Sequence, residues 1–168
     1  MFSFIPEYFF ETFDKASAEF LLSINVKGIV LDIDNTLEPY EHEKPGEHVI
    51  QWLNSLHKHG IKTSIVSNNN ENRVNKFNEE FNMPAYSHGG KPLKKNVINA
   101  IYDMGIKIDE AILMGDQIFT DVWAAHNAGI PAILVSPIND KKDLLTRFKR
   151  LLERPIMHLY KKLREANK

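Results

Sequence analysis

Short apolar runs alternate with amphipathic helical patterns through the middle of the chain. Four apolar runs have the length of buried strands and cover 28–33, 61–66, 111–115 and 131–135, and residues 83–87 could form a fifth, short strand. Between them, apolar side chains recur at helical spacing over 46–59, 71–81, 92–104 and 118–128. Apolar strands alternating with helices are typical of a parallel sheet covered on both faces. The pattern predicts an α/β fold with a central, mainly parallel five-stranded sheet.

The composition narrows the class of protein. The chain has 168 residues, 43% of them apolar and 26% charged, which suits one compact domain with a real hydrophobic core. It has no cysteine, and this excludes disulfides, thiolate metal sites and a cysteine nucleophile. No apolar run approaches the roughly 20 residues of a membrane-spanning helix. The N-terminal sequence lacks the basic start and cleavage site of a secretory signal, so we expect a cytoplasmic protein.

The net charge of −1 conceals an uneven distribution. Residues 141–168 carry ten Lys and Arg against three Asp and Glu, whereas residues 1–140 carry eleven against nineteen. Apolar side chains over 144–163 fall on one helical stripe, which Pro155 is predicted to kink or divide. A basic amphipathic helix either packs its stripe on the domain or lies peripherally on an anionic membrane surface. We expect a domain over 1–140, with its motifs in 28–136, and a basic amphipathic helical segment over 141–168.

The first thirteen residues are rich in aromatic side chains. These are Phe2, Phe4, Tyr8, Phe9, Phe10 and Phe13. They either cover the sheet or join the basic segment at a bilayer interface, because aromatic rings suit both places.

The first candidate for chemistry is the string Asp32-Ile33-Asp34-Asn35-Thr36, directly after an apolar run. Side chains two residues apart in an extended segment share one side, so the carboxylates of Asp32 and Asp34 can converge. Neighbouring carboxylates repel unless a cation or a shared proton intervenes. Mg²⁺ would resolve this, since it prefers oxygen ligands and accepts one or two protein carboxylates. The alternative interpretation is a solvated loop or a helix cap.

Further polar groups follow other predicted strands. Gly115-Asp116, with Asp121 five residues later, could complete an oxygen-rich cation site, although an acid at a helix start also serves as a cap. The run Ser67-Asn68-Asn69-Asn70 offers hydroxyl, amide and backbone donors at a helix start, which suits a phosphate or a simple polar turn. Lys91 lies in a loop leading into a helix, where it could point its charge at the same phosphate.

The order of these motifs resembles the haloacid dehalogenase (HAD) superfamily of phosphotransferases. The strings Asp-x-Asp-x-Thr, Ser-Asn, Lys-Pro and Gly-Asp-x₄-Asp occur in that sequence over about residues 28–136. Within the superfamily, the chain is similar to the YqeG-like, class IIIA phosphatases through Val66-Ser67-Asn68-Asn69-Asn70, Gly90-Lys91-Pro92 and Met114-Gly115-Asp116-Gln117. The resemblance implies a three-layer Rossmann-like fold. Only 30 residues separate Thr36 from Ser67 and 23 separate Ser67 from Lys91, which leaves no room for a cap domain.

The resemblance also implies catalytic and metal-binding roles. Asp32 would be the nucleophile that takes the phosphoryl group, and Asp34 would protonate the leaving oxygen and then activate water. Asp32, the backbone carbonyl of Asp34, and Asp116 would hold Mg²⁺. Asp121 would be an outer partner of the metal, acting through another ligand or through a water molecule.

For the phosphate, the resemblance implies a second group of residues. Thr36, Ser67 and the backbone of Asn68 would bind the phosphoryl oxygens, and Lys91 would offset their developing charge. Two other lysines remain as alternatives if the loop register differs: Lys94 and Lys95.

The expected function is Mg²⁺-dependent phosphomonoester hydrolysis through an aspartyl-phosphate. The YqeG-like phosphatases are similar to mitochondrial phosphatidylglycerophosphate phosphatases, so an open site and a basic segment favour an anionic phospholipid substrate at the inner face of the membrane. A soluble phosphomonoester is the alternative substrate. A non-catalytic phosphate- or RNA-binding assembly factor is the alternative class; the basic segment suits RNA, but the retained acids argue against it.

Overall fold

Among the described residues, a six-stranded sheet with all strands parallel forms the centre of the protein. The structure, a computed structural model, describes residues 4–139, 152–153, 155–160 and 162. The strands are β1 (Tyr8–Phe10), β2 (Gly28–Leu31), β3 (Lys62–Val66), β4 (Ala85–Tyr86), β5 (Ala111–Gly115) and β6 (Ala132–Val135). Their order across the sheet is β1-β6-β5-β2-β3-β4. The predicted parallel α/β sheet is confirmed, but the count of five strands is wrong by one.

The additional strand is β1, at the edge beside β6. Its three residues pair in parallel with Ile133–Val135, from Tyr8 opposite Ile133 to Phe10 opposite Val135. Three residues are too few to show an apolar period, so the sequence pattern gave no strand there. Pairing with a strand more than a hundred residues away holds this segment in place.

Five helices connect the strands. They are α1 (Ala18–Ser23), α2 (Glu47–Lys58), α3 (Glu71–Asn78), α4 (Lys95–Asp103) and α5 (Trp123–Ala128). The helix predicted over 92–104 begins at Lys95, because residues 90–93 form a turn in which the Leu93 N–H donates to the Gly90 carbonyl. The helix predicted over 118–128 divides into a π-helical turn, Ile118–Val122, and α5.

Two hydrophobic layers cover the faces of the sheet. On one face, Ile29 and Leu31 of β2 pack in a buried cluster with residues of α1, α2 and α3. On the other, Val30 packs with residues of α4 and α5. Successive strand residues point to opposite faces, so a strand buried on both faces reads as a continuous apolar run. The three-layer arrangement is therefore a direct consequence of the pattern in the sequence.

The described N-terminal aromatic residues pack on the domain, and Phe2 lies outside the described residues. The rings of Tyr8 and Phe10 lie edge-on to Phe20 of α1 at 5.1 and 5.2 Å between centroids. Phe9 lies 6.3 Å from Tyr160 of the C-terminal segment. Of the two interpretations of these aromatics, covering the sheet is the one these contacts support.

Only part of the C-terminal segment can be compared with its prediction. Residues 152–153 and 155–160 are helical, and Ile156 and Met157 pack against the cluster on the α4 and α5 face. Pro155 borders on a residue that lies outside the described part of the chain, so the kink there stays a prediction. Most of the basic positions of 141–168 also lie outside the described residues. Within the described part of the chain, no helix is long and apolar enough to cross a membrane.

The intervals between the motifs are filled as expected. Residues between Thr36 and Ser67 include α2 and β3, and those between Ser67 and Lys91 include α3 and β4. Among residues 4–139, neither interval holds a separate cap domain. Within the same residues, no cap domain covers the carboxyl ends of the central strands.

Candidate active site

The candidate site lies at the carboxyl edge of the three central strands. β5, β2 and β3 are neighbours in the sheet, and each is followed by one polar motif. Asp32 follows β2, Ser67 follows β3 and Asp116 follows β5. The Asp32 N–H donates to the Met114 carbonyl at 3.0 Å, so the pairing of β2 with β5 extends into the first motif. Parallel pairing thus brings together motifs that are far apart in the chain.

Three buried carboxylates form the centre of the site. Asp32, Asp116 and Asp121 each offer one oxygen, and these atoms lie within 4.8 Å of one another. The Thr36 hydroxyl lies between two of these side chains, 3.5 Å from an Asp32 oxygen and 3.4 Å from an Asp116 oxygen. Gly115 leaves room for the group, because a Cβ there would lie 2.2 Å from Asp121 Cγ. The aspartates predicted to bind metal through their side chains therefore lie together.

Lys91 is the lysine that reaches this cluster. Its Nζ donates to Asp32 Oδ1 at 2.8 Å and to Asp121 Oδ1 at 2.6 Å, and its side chain is 2% exposed. The Asn68 amide holds the backbone of Lys91: the Lys91 N–H donates to Asn68 Oδ1 at 2.9 Å, and Asn68 Nδ2 donates to the Lys91 carbonyl at 3.0 Å. The two alternative lysines are exposed: Lys94 and Lys95.

Burial and repulsion between like charges make it unfavourable for all three carboxylates of this cluster to be ionised. Burial raises the pKa of the Asp32 carboxyl well above its ordinary range; the Lys91 ammonium opposes this, whereas repulsion from Asp121 and Asp116 adds to it. Burial alone lowers the pKa of Lys91, but Asp121 and Asp32 outweigh it and raise the pKa. One ammonium faces three carboxylates, which leaves two negative charges uncompensated when all are ionised. Oxygen donors carrying this excess charge fit a hard divalent cation such as Mg²⁺.

The side chain of Asp34 is held by Asn69, just before α3, and by Arg73, in α3. Its Oδ2 accepts from Asn69 Nδ2 at 2.8 Å, and its Oδ1 accepts from Arg73 Nε at 3.0 Å. Arg73 also donates from Nη1 to the Glu43 carbonyl at 2.9 Å. Both oxygens of Asp34 are thus oriented by neighbouring side chains. That the backbone carbonyl of Asp34 binds metal stays a prediction.

Arg73 is a site residue that the sequence reasoning missed. It is 7% exposed and lies on the inner face of α3, beside Val74 and one turn before Phe77, whose ring is 5.7 Å from the guanidinium carbon. An arginine on the apolar stripe of a helix needs a buried anion or carbonyl to pair with. That position in the stripe was the available signal, and Asp34 is the anion.

Ser67 is held in place at the end of β3. It is 1% exposed, its carbonyl accepts from the Gly89 N–H at 2.8 Å, and its Oγ accepts from the Asn69 N–H at 3.1 Å. The hydroxyl hydrogen can therefore be donated to a phosphoryl oxygen. Asn70 instead caps α3, because its Oδ1 accepts from the Arg73 N–H at 3.0 Å. The polar run thus combines a candidate phosphate donor with an ordinary helix cap.

Comparison with known proteins identifies the family. The family described as haloacid dehalogenase-like hydrolase matches residues 7–135. The protein named "Probable phosphatase YqeG" of Bacillus subtilis is 36% identical over 159 residues, which is 95% of this chain and 92% of that protein.

Solved structures share the fold at low sequence identity. A 3-deoxy-D-manno-octulosonate 8-phosphate phosphatase from Moraxella catarrhalis, solved with magnesium and phosphate ions, gives a TM-score of 0.55 at 13% identity and covers 87% of this chain and 95% of its own. A HAD-superfamily hydrolase from Ehrlichia chaffeensis gives 0.54 at 18% identity, with 76% and 97% covered. The fold and the match over residues 7–135 agree with the YqeG relative: the chain belongs to the haloacid dehalogenase-like hydrolase family and is a phosphatase.

Proposed function

We propose that the protein hydrolyses phosphate monoesters with Mg²⁺ through an aspartyl-phosphate on Asp32. The observation that carries this proposal is the buried cluster in which Asp32 lies beside Asp116 and Asp121 and pairs with Lys91 at 2.8 Å. Phosphoryl transfer depends mainly on positioning and on charge neutralisation. The cluster supplies a fixed nucleophile, the Asp32 carboxylate, and a positive charge next to it, the Lys91 ammonium.

In the first step, an oxygen of Asp32 attacks phosphorus and the bond from phosphorus to the ester oxygen breaks. The Ser67 hydroxyl and the Lys91 ammonium donate to the phosphoryl oxygens, whose charge they offset. The side-chain amide of Asn68 holds the Lys91 backbone in place through two hydrogen bonds. The product is a phosphorylated Asp32 and an alcohol that needs one proton.

Asp34 supplies that proton and later recovers one. Its carboxyl donates the proton to the leaving oxygen, and the resulting carboxylate then accepts a proton from a water molecule. The water oxygen attacks phosphorus, the bond to Asp32 breaks, and inorganic phosphate leaves. Each oxygen of Asp34 accepts one hydrogen bond in the structure, from Asn69 and Arg73, and keeps a second lone pair for the proton.

The carboxylates of Asp32, Asp116 and Asp121, with the carbonyl of Asp34, would hold the magnesium ion. When bound, Mg²⁺ neutralises negative charge on the phosphoryl group and its nucleophile. The carboxylates and Lys91 fix where a phosphate can sit. The Thr36 hydroxyl, between Asp32 and Asp116, would orient these two ligands more directly than it would bind phosphate.

For the substrate, we propose phosphatidylglycerophosphate at a membrane surface. Three features support this choice: the expected similarity of YqeG-like phosphatases to phosphatases of this lipid, the strand ends without a cap in residues 4–139, and the basic composition of residues 141–168. An open site suits a phosphate presented on a surface, and ten basic residues suit an anionic one. The protein would then act at the inner face of the membrane.

The test of the reaction is Asp32→Asn, with Asp109→Asn as a matched control. Asp109 is exposed and lies in the turn before β5, at the opposite edge of the sheet. Asp32→Asn should lower Mg²⁺-dependent release of phosphate from p-nitrophenyl phosphate by at least about 1,000-fold, with the circular dichroism spectrum unchanged. Full activity of Asp32→Asn would refute the mechanism.

The test of the substrate is phosphate release from phosphatidylglycerophosphate in vesicles, measured beside a panel of soluble phosphomonoesters. We expect the highest kcat/KM on the lipid, together with flotation on anionic vesicles and none on zwitterionic ones. Preference for a soluble ester, or no binding to anionic vesicles, would contradict the proposed lipid substrate but not the proposed reaction.

A further inference from the structure

A carboxylate from the C-terminal segment reaches the turn that carries the metal-site aspartates. Oε1 of Glu153 accepts a hydrogen bond from the Ile118 N–H at 2.8 Å, and Glu153 is 6% exposed. Ile118 begins the π-helical turn that contains Asp121, and Asp116 lies two residues before it. Glu153 is therefore hydrogen-bonded to the loop that connects the two aspartates.

Two consecutive backbone donors of this loop are satisfied by carboxylates. The Gln117 N–H donates to Asp121 Oδ2 at 3.0 Å, and the next N–H, of Ile118, donates to Glu153. The first N–H groups of a helix lack partners within the helix, and no side chain of the Gln117 cap fills that role here. Glu153 and Asp121 thus hold adjacent peptide groups, so a shift of one peptide moves the other.

Apolar contacts bring Glu153 to this position. Ile156 and Met157 pack against the cluster that includes Ile118 and Val122, and Tyr160 is 8% exposed at the edge of the sheet beside Phe9. A buried carboxylate costs free energy unless it accepts hydrogen bonds. The apolar anchors thus place an acceptor at a backbone donor that needs one.

We propose that Glu153 is a positioning residue for the metal site. By fixing the Ile118 N–H, it keeps the Gln117–Asp121 turn in the geometry in which Asp121 contacts both the Gln117 N–H and Lys91. The inference rests on the proposed function, since it assigns the cation to Asp116 and Asp121. It also makes the C-terminal segment part of the catalytic architecture, in addition to any role at a surface.

Three substitutions separate the hydrogen bond from charge and from packing. Glu153→Gln keeps an acceptor oxygen at the same reach and removes the charge. Glu153→Asp keeps the charge but is one methylene too short to reach the Ile118 N–H. Glu153→Leu keeps the approximate volume and removes the acceptor. Leu152→Ala, at a neighbouring residue that is 47% exposed, is the control for the segment.

The readouts are Mg²⁺ binding by calorimetry, the Mg²⁺ concentration that gives half-maximal activity, and thermal unfolding without Mg²⁺. We expect Glu153→Leu and Glu153→Asp to weaken Mg²⁺ binding by about 10- to 100-fold, the usual effect of removing a group that orients metal ligands. Glu153→Gln and Leu152→Ala should bind as the wild type does. If Glu153→Leu does not fold, the comparison of Glu153→Asp with Glu153→Gln decides.

The outcomes distinguish this inference from the proposed function. Unchanged Mg²⁺ affinity in the Asp and Leu variants of Glu153, or equal loss in Glu153→Gln, would overturn the positioning role. If the wild type neither binds Mg²⁺ nor needs it for activity, the proposed function fails first. A lower melting temperature with unchanged Mg²⁺ affinity would show a structural role alone and would also overturn the inference.

Discussion

Adding one methyl group at Gly115 tests whether the carboxylate cluster is the working site. Gly115 ends β5, and a Cβ there would lie 2.2 Å from Asp121 Cγ and 2.4 Å from its Oδ2. Carbon atoms in contact need about 3.5 Å, so in Gly115→Ala the Asp121 side chain must move by more than about 1 Å. Metal–ligand distances tolerate only about 0.2 Å. The substitution therefore removes Asp121 from its place without touching its chemistry.

The expected loss is about 100-fold in kcat/KM, as for a catalytic group displaced by 1 Å. Overpacking should cost about 1–3 kcal/mol of unfolding free energy, which leaves the protein folded. The assay is hydrolysis of p-nitrophenyl phosphate across a range of Mg²⁺ concentrations, with thermal unfolding of the same samples.

The matched control is Gly28→Ala, at the opposite end of β2. Its Cβ would lie 2.4 Å from Ile106 Cδ1 and 3.1 Å from Met104 Sδ, both near the ends of flexible side chains. This variant suffers overpacking but leaves the carboxylates alone, so its kcat/KM should stay near that of the wild type. Wild-type activity of Gly115→Ala, or an equal loss in Gly28→Ala, would refute the reasoning.

Two further predictions concern ion pairs, one between Arg73 and Asp34 and one between Glu7 and His126. Arg73→Met removes the partner of one Asp34 oxygen, so kcat should fall about 10- to 100-fold on alkyl phosphates and much less on p-nitrophenyl phosphate, whose leaving group needs no proton. Lys76→Met, on the same helix, is the control, and equal loss on both substrates would contradict this role of Arg73. Burial alone raises the pKa of Glu7, but its hydrogen bonds and the charge of His126 outweigh this and lower the pKa below 4.5. The stabilisation by Glu7 is thus complete above its unfolded-state pKa and is lost as pH falls through the folded-state value. The difference in urea stability between wild type and Glu7→Gln should therefore shrink between about pH 5 and about pH 3, and a constant difference would be evidence against the pair.

The sequence predicts most of the sheet because a parallel strand that is buried on both faces is a continuous apolar run in the local sequence. Ile29, Val30 and Leu31 form a continuous apolar run, and its three residues divide between the two hydrophobic layers. The polar residues that stop each run then fall at one edge of the sheet, which is why Asp32 and Asp116 could be expected to meet. The edge strand β1 carries no such signal, because its three residues are defined by their pairing with β6.

The residues that orient the site are harder to find, because their partners are distant in sequence and their chemistry is ordinary. The backbone of Asn68 is predicted to bind phosphate, and its side chain, for which the sequence predicts no role, holds the backbone of Lys91. Nothing in the local pattern indicates this second role. The position of Arg73 on an apolar stripe is a signal that something anionic lies beneath, but it does not say that the anion is Asp34.

Glu153 shows why dividing the chain by charge into residues 1–140 and the basic segment 141–168 separates residues that contact each other. Its residue type is unexceptional in a segment where ten of the charged residues are basic. Among the described residues of the segment, Ile156, Met157 and Tyr160 pack on the domain and carry Glu153 to the Ile118 N–H. The motifs indicate the groups that are proposed to bind phosphate, because their order in the chain is fixed by the strands. Groups that hold those residues in place can come from any element that packs nearby, so they have to be found by following each backbone donor to its acceptor.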